Sequence, residues 1–130
     1  MQISQINEMN QKIQSAHNAY CELAQELSLP LVTLQSILVL FYQEHKTLPQ
    51  LTAKHIQNEN WPALEAYLHK IKGASSSLRM MAIRHQAWLL EDQLKAGKPL
   101  NLEQMQPLYY VLQKAIDLYQ LDALSNVKLE

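Results

Sequence analysis

The residues best placed to do chemistry in this sequence are His69, Lys72 and Gly73. A neutral imidazole nitrogen is a nucleophile near pH 7. A lysine one helical turn away is placed to meet the negative charge of a group transferred to that nitrogen. This pattern indicates an acceptor for an anionic group, with an ordinary solvated histidine on a polar helix face as the alternative.

The stretch from residue 64 to residue 79 has the apolar period of a helix and places His69 on its outer face. At roughly 100° per residue, His69 lies roughly 160° from Ile71. Its surface neighbours are Glu65, Lys72, Gly73 and Ser76. The predicted buried face consists of Leu64, Leu68, Ile71, Ser75 and Leu78.

Small residues surround His69 although they weaken the helix. Gly73 costs about 1 kcal/mol against Ala in a helix interior. The serine run 75–77 also consists of weak helix formers. A sequence that keeps both is predicted to keep side-chain bulk away from the imidazole.

The same stretch resembles the signature of the histidine-containing phosphotransfer (HPt) domain, which has a His, a Lys three residues on, a Gly four residues on, small residues and then an aliphatic. The matching run is His69-Lys70-Ile71-Lys72-Gly73-Ala74-Ser75-Ser76-Ser77-Leu78. Leu90-Glu91 falls where the family usually carries a Leu-Glu pair, and Leu51 with the turn 58–61 resembles the region before the histidine helix. The resemblance spans about residues 30 to 122, and Arg79 departs from it, because most members have a second Gly there.

This resemblance implies that His69 accepts a phosphoryl group from the aspartyl phosphate of one receiver domain and passes it to another. It implies electrostatic help from Lys72 and a receiver-docking surface at Glu65, Ala66, Gly73 and Ser76. The receiver is expected to bring the Asp, the Mg²⁺ and most of the catalysis, so no cofactor or metal is expected on this chain. The expected partners are response-regulator receivers, a hybrid sensor histidine kinase, or both.

Apolar periodicity predicts an all-α fold, an up-and-down antiparallel four-helix bundle with an additional N-terminal helix. The predicted helices span about residues 5–27, 30–57, 61–78, 81–96 and 101–124, and Pro49 should kink or break the second. We expect residues 1–29 to form the N-terminal helix packing on the bundle, 30–125 the bundle itself and 126–130 a disordered tail. His45 is expected to be packed and not a ligand.

Composition argues against several other functions. A net charge of −1 gives no basic footprint for nucleic acid, and the longest apolar run, 37–42, is too short to cross a bilayer. Two glycines cannot build a phosphate-cradling loop, so no ATP site is expected and the chain is expected to be a phosphocarrier, not an enzyme. Neither Glu-x-x-His nor zinc-type spacing occurs. We expect a cytoplasmic monomer.

Cys21 is the single cysteine, so no internal disulfide is possible. A nucleophile centred on Cys21 would need a positioned base, and nothing in the sequence indicates one. Two other interpretations stay open: a non-phosphorylated helical adaptor or dimerisation module that retains the bundle, and the phospho-accepting domain of a chemotaxis-type kinase. Whether the chain is a free-standing shuttle or a domain of a larger hybrid kinase is also open.

Overall fold

The regular structure in this protein is helical over residues 2–126, the part of the chain that the computed structural model describes. The elements are α1 Ile3–Glu26, α2 Leu31–His45, α3 Leu48–Gln57, α4 Trp61–Ser77, α5 Met81–Lys95, α6 Leu102–Ala123 and a final 3₁₀ turn, Leu124–Asn126. The predicted all-α helical bundle class is confirmed. The predicted disordered tail, 126–130, lies outside the described residues except for residue 126, which ends the 3₁₀ turn.

The second predicted helix divides into α2 and α3 near Pro49. Helix α2 ends at His45, and Pro49 lies in the first turn of α3. A first-turn proline is tolerated because its missing N–H has no intrahelical partner there, whereas inside a helix it removes a hydrogen bond. The break expected near this proline is therefore confirmed.

Within residues 2–126, four helices are terminated by a residue with left-handed backbone conformation, and three of these residues are not glycine. They are Ser28, Glu59, Arg79 and Gly97, with φ of 55°, 51°, 56° and 77°. After α4, the Arg79 N–H donates to the Ser76 carbonyl at 3.1 Å and the Met80 N–H to the Ser75 carbonyl at 2.8 Å. These are the two hydrogen bonds of a Schellman cap, and they end α4 so that α5 can return alongside it.

The described chain forms two compact units, residues 41–113 and residues 2–40 with 114–126. In the first, α4 packs against α5 and α3. His45 is fully buried there, and its Nδ1 lies 2.7 Å from the Tyr67 hydroxyl, so the predicted packed histidine is confirmed. The domain boundaries predicted at residues 29 and 125 stay a prediction.

In the second unit, α1 contacts the 3₁₀ turn, and one side of α1 is buried. The buried residues of α1 are Ile13, Ala16, Tyr20 and Ala24.

No single helix within residues 2–126 has both the length and the apolar character to span a membrane. The bent pair Ile3–Glu26 and Leu31–Gln57 together meets these two criteria, by length and composition only.

Candidate functional site

His69 stands on the solvent side of α4, with 69 % of its side chain exposed. The opposite side is buried, and its residues are those that the sequence predicts to be buried: Leu64, Leu68, Ile71, Ser75 and Leu78. Local signals place the start of the helix, since the Asn60 side chain accepts the Ala63 N–H at 3.3 Å and Pro62 lies in the first turn. The predicted exposure of this imidazole is therefore present in the structure.

The orientation of the His69 ring is set by a buried carboxylate on the neighbouring helix. His69 Nδ1 lies 2.8 Å from Oε2 of Glu91, whose side chain is only 2 % exposed. An ionised carboxylate only accepts hydrogen bonds, so this contact assigns the proton of the neutral ring to Nδ1. The second ring nitrogen, Nε2, then carries the free lone pair.

Two lysines share the same carboxylate. Lys72 donates through Nζ to Glu91 Oε1, and Lys95 Nζ lies 3.6 Å from that oxygen. Burial alone would raise the pKa of Glu91, but the hydrogen bonds from Lys72 and His69 and the charges of the lysines outweigh it and lower that pKa. Glu91 therefore stays ionised near neutral pH and continues to accept from His69.

Together these residues expose one nucleophilic nitrogen, His69 Nε2. The ionised carboxylate of Glu91 orients its ring, and the ammonium groups of Lys72 and Lys95 lie near that carboxylate. A model of the Hpt domain matches residues 36–126. The chain belongs to the Hpt family. The searches of curated proteins and of solved structures gave no match. Hpt domains are phosphocarrier modules of two-component phosphorelays, and they normally interact with receiver domains.

A depression in the surface of this Hpt domain lies beside His69. It is lined by Pro62, Glu65, Ala66, His69, Glu91 and Lys95. Glu65 and Ala66, both predicted docking residues, are thus among its lining residues. Gly73 and Ser76, the other two, are exposed one and two turns further along α4.

Sequence reasoning missed what Glu91 and Lys95 do at this site of the Hpt domain. The resemblance includes the Leu90-Glu91 pair, but the sequence does not predict that Glu91 contacts His69. The contact joins residues 22 positions apart and depends on how α4 packs on α5. Lys72 was expected to face outward; it is partly exposed, at 22 % of its side chain, and it binds Glu91.

A metal site in this Hpt domain would need several clustered ligands. Within residues 2–126, no group of three or more His, Cys, Asp or Glu side chains is arranged to hold a metal ion.

Proposed function

We propose that this Hpt domain carries phosphoryl groups on His69 within a multistep phosphorelay, accepting from one receiver domain and donating to another. The observation that supports this most directly is an exposed imidazole whose Nδ1 is held by the buried carboxylate of Glu91. That arrangement leaves Nε2 as the atom that a partner's active centre can reach.

In the accepting step, the Nε2 lone pair attacks the phosphorus of a receiver aspartyl phosphate. The Nε2–P bond forms as the P–O bond to the aspartate breaks, and the aspartate leaves as a carboxylate with the bonding electron pair. His69 keeps its Nδ1 proton, so the phosphorylated ring carries a positive charge that Glu91 offsets at 2.8 Å. The donating step is the reverse reaction at the second receiver.

Fixed geometry is what this Hpt domain contributes to the reaction. In-line transfer requires the nitrogen to be held at near-attack distance from phosphorus. One end of the ring is anchored to Glu91, and the helix beneath it is packed through fully buried Leu64, Leu68 and Ile71. The receiver is expected to supply the aspartate and its Mg²⁺.

Lys72 is proposed to provide charge for the transferred group. In the unphosphorylated site its ammonium binds Glu91 Oε1. Its side chain is partly exposed and begins one turn from His69, so a phosphoryl group on Nε2 can compete with Glu91 for this ammonium. The same lysine would then neutralise the Glu91 carboxylate before phosphorylation and the phosphoryl oxygens after it.

We place Gly73 in the receiver-docking surface because no packing among residues 2–126 requires a glycine there. A Cβ built at this position would meet no atom within 4 Å. A residue that costs the helix about 1 kcal/mol and fills no tight space within the chain is explained by close approach of a partner. Ala66 and Ser76 are small and exposed on the same helix, and Glu65 is the charged residue of this proposed docking surface.

The test is phosphotransfer profiling against receiver domains from the same cell, with His69→Gln as the site variant. The wild-type protein should gain an acid-labile, base-stable label, and His69→Gln should gain none while its circular dichroism stays unchanged. His85→Gln, which removes an exposed histidine stacked on Trp88, is the matched control and should label normally. Label on His69→Gln would place the acceptor elsewhere, and an unlabelled wild type across the panel would favour the adaptor.

A further inference from the structure

A second group of reactive side chains lies in the unit formed by residues 2–40 and 114–126. His17 and Cys21 are one turn apart on α1, and the Cys21 Sγ lies 3.6 Å from the His17 Nε2. On the other side of the ring, His17 Nδ1 lies 3.0 Å from Oδ1 of Asp122 on α6. The order thiol, imidazole, carboxylate is the arrangement that activates a nucleophile through a positioned base.

The carboxylate determines which ring nitrogen faces the thiol as a base. Asp122 is buried, with 3 % of its side chain exposed, and its other oxygen receives a hydrogen bond from Gln35 at 3.4 Å. The neutral Ser125 hydroxyl lies 3.3 Å from the same Nδ1. Because the Asp122 carboxylate accepts the Nδ1 proton, His17 Nε2 is left as the acceptor for the Cys21 S–H.

Cys21 and His17 are both partly exposed to solvent, with 30 % of the His17 side chain exposed. The sequence alone does not indicate a base for Cys21, and the structure places His17 beside its thiol. Its base lies four residues earlier on the same helix, and the carboxylate that orients it comes from 105 residues later.

We propose that Cys21 is an activated thiol that reacts with small disulfides of the glutathione type, a modification site separate from His69. The Sγ proton passes to His17 Nε2, and the thiolate attacks one sulfur of the disulfide. A new S–S bond forms as the old one breaks, and the departing thiolate takes the proton from the imidazolium. Because the chain has one cysteine, no second thiol of its own resolves the product, and the mixed disulfide persists until an external thiol reduces it.

The test is the rate at which the full chain forms a mixed disulfide with oxidised glutathione, followed by intact mass between about pH 6 and pH 9. Wild type should react about tenfold faster than His17→Gln near neutral pH, because only the thiolate attacks and the base generates it. The difference between the two rates should close at high pH, where hydroxide replaces the histidine as the base. Asp122→Asn should lie between them, and His55→Gln, on α3, should match wild type.

A purely structural histidine would change stability without changing the pH profile of the reaction. Rates that coincide for wild type and His17→Gln at every pH overturn the proposal. If circular dichroism shows that His17→Gln does not fold, folded wild type is compared with wild type unfolded in urea near pH 7. The folded protein should then react about tenfold faster, and an equal or slower rate overturns the proposal.

Discussion

His69 and Glu91 lie 22 residues apart in sequence, yet Nδ1 of the first lies 2.8 Å from Oε2 of the second. One side chain is largely exposed and the other almost fully buried, at 69 % and 2 %. The buried partner therefore fixes both the proton and the angle of the ring that faces solvent. The orientation of the exposed His69 ring is thus set by Glu91, a buried residue of α5.

Replacing Glu91 with Gln should slow transfer to His69 by about ten- to a hundredfold. An amide is isosteric, but it can present its NH₂ to Nδ1 and favour the wrong tautomer, and it no longer offsets the charge of a phosphorylated ring. The measurement is single-turnover transfer from a phosphorylated receiver. The matched control is Glu103→Gln, an exposed glutamate in the first turn of α6, which should transfer at the wild-type rate.

The same Glu91 variant has a stability signature that depends on pH. The pKa of Glu91 is lowered below its ordinary 4.5, so its ionised form stabilises the folded state above that value, and the contribution is lost as pH falls through the lowered pKa. The free energy of unfolding of wild type should exceed that of Glu91→Gln by about 1–3 kcal/mol at neutral pH, and this difference should narrow in acid. Urea unfolding at neutral and at acid pH measures it, and a difference that does not change with pH would contradict the assigned ion contacts.

Lys72→Ala should slow transfer at least about tenfold, because it removes a cation one turn from the acceptor nitrogen. It should also cost about 1–3 kcal/mol of folding free energy, since Lys72 donates to the buried Glu91. Transfer is therefore measured where circular dichroism shows the variant fully folded. Lys70→Ala is the control, because Lys70 is 62 % exposed and pairs with Glu44. Equal transfer rates for the two variants would remove Lys72 from the mechanism.

The exposure of His69 was predictable from sequence, and its fixation by Glu91 was not. Helix periodicity is local, so the burial of Leu64, Leu68 and Ile71 fixes which side of α4 faces solvent. The Glu91 contact depends on the register of two packed helices, which no single-helix pattern encodes. The contact between His17 and Cys21 does have a local signal in the sequence, because residues four apart on a helix are neighbours. Asp122, which is 105 residues from His17 in sequence, joins this pair only through the fold.

Gly73→Ala should raise the stability of the Hpt domain by up to about 1 kcal/mol, because alanine is the better helix former and its Cβ would meet no atom within 4 Å. The same methyl group should slow transfer if a receiver approaches this position closely. Melting temperature and transfer rate are measured together. The control is Gly97→Ala, which should lower stability because Gly97 has a φ of +77°. Unchanged transfer in Gly73→Ala would remove Gly73 from the docking surface.

Arg79→Gly should remove about 1 kcal/mol of backbone strain, since Arg79 occupies a left-handed conformation with a φ of 56° that glycine adopts without steric cost. The Schellman hydrogen bonds that end α4 run through the backbone of residues 79 and 80, so the substitution keeps them. An arginine therefore keeps the turn at the position where the sequence resemblance leads us to expect a glycine, at the cost of backbone strain. Glu59→Gly, at a φ of 51°, should remove a similar amount. Thermal melts measure both, and a loss of stability in Arg79→Gly would show that the arginine side chain contributes more than the backbone strain costs.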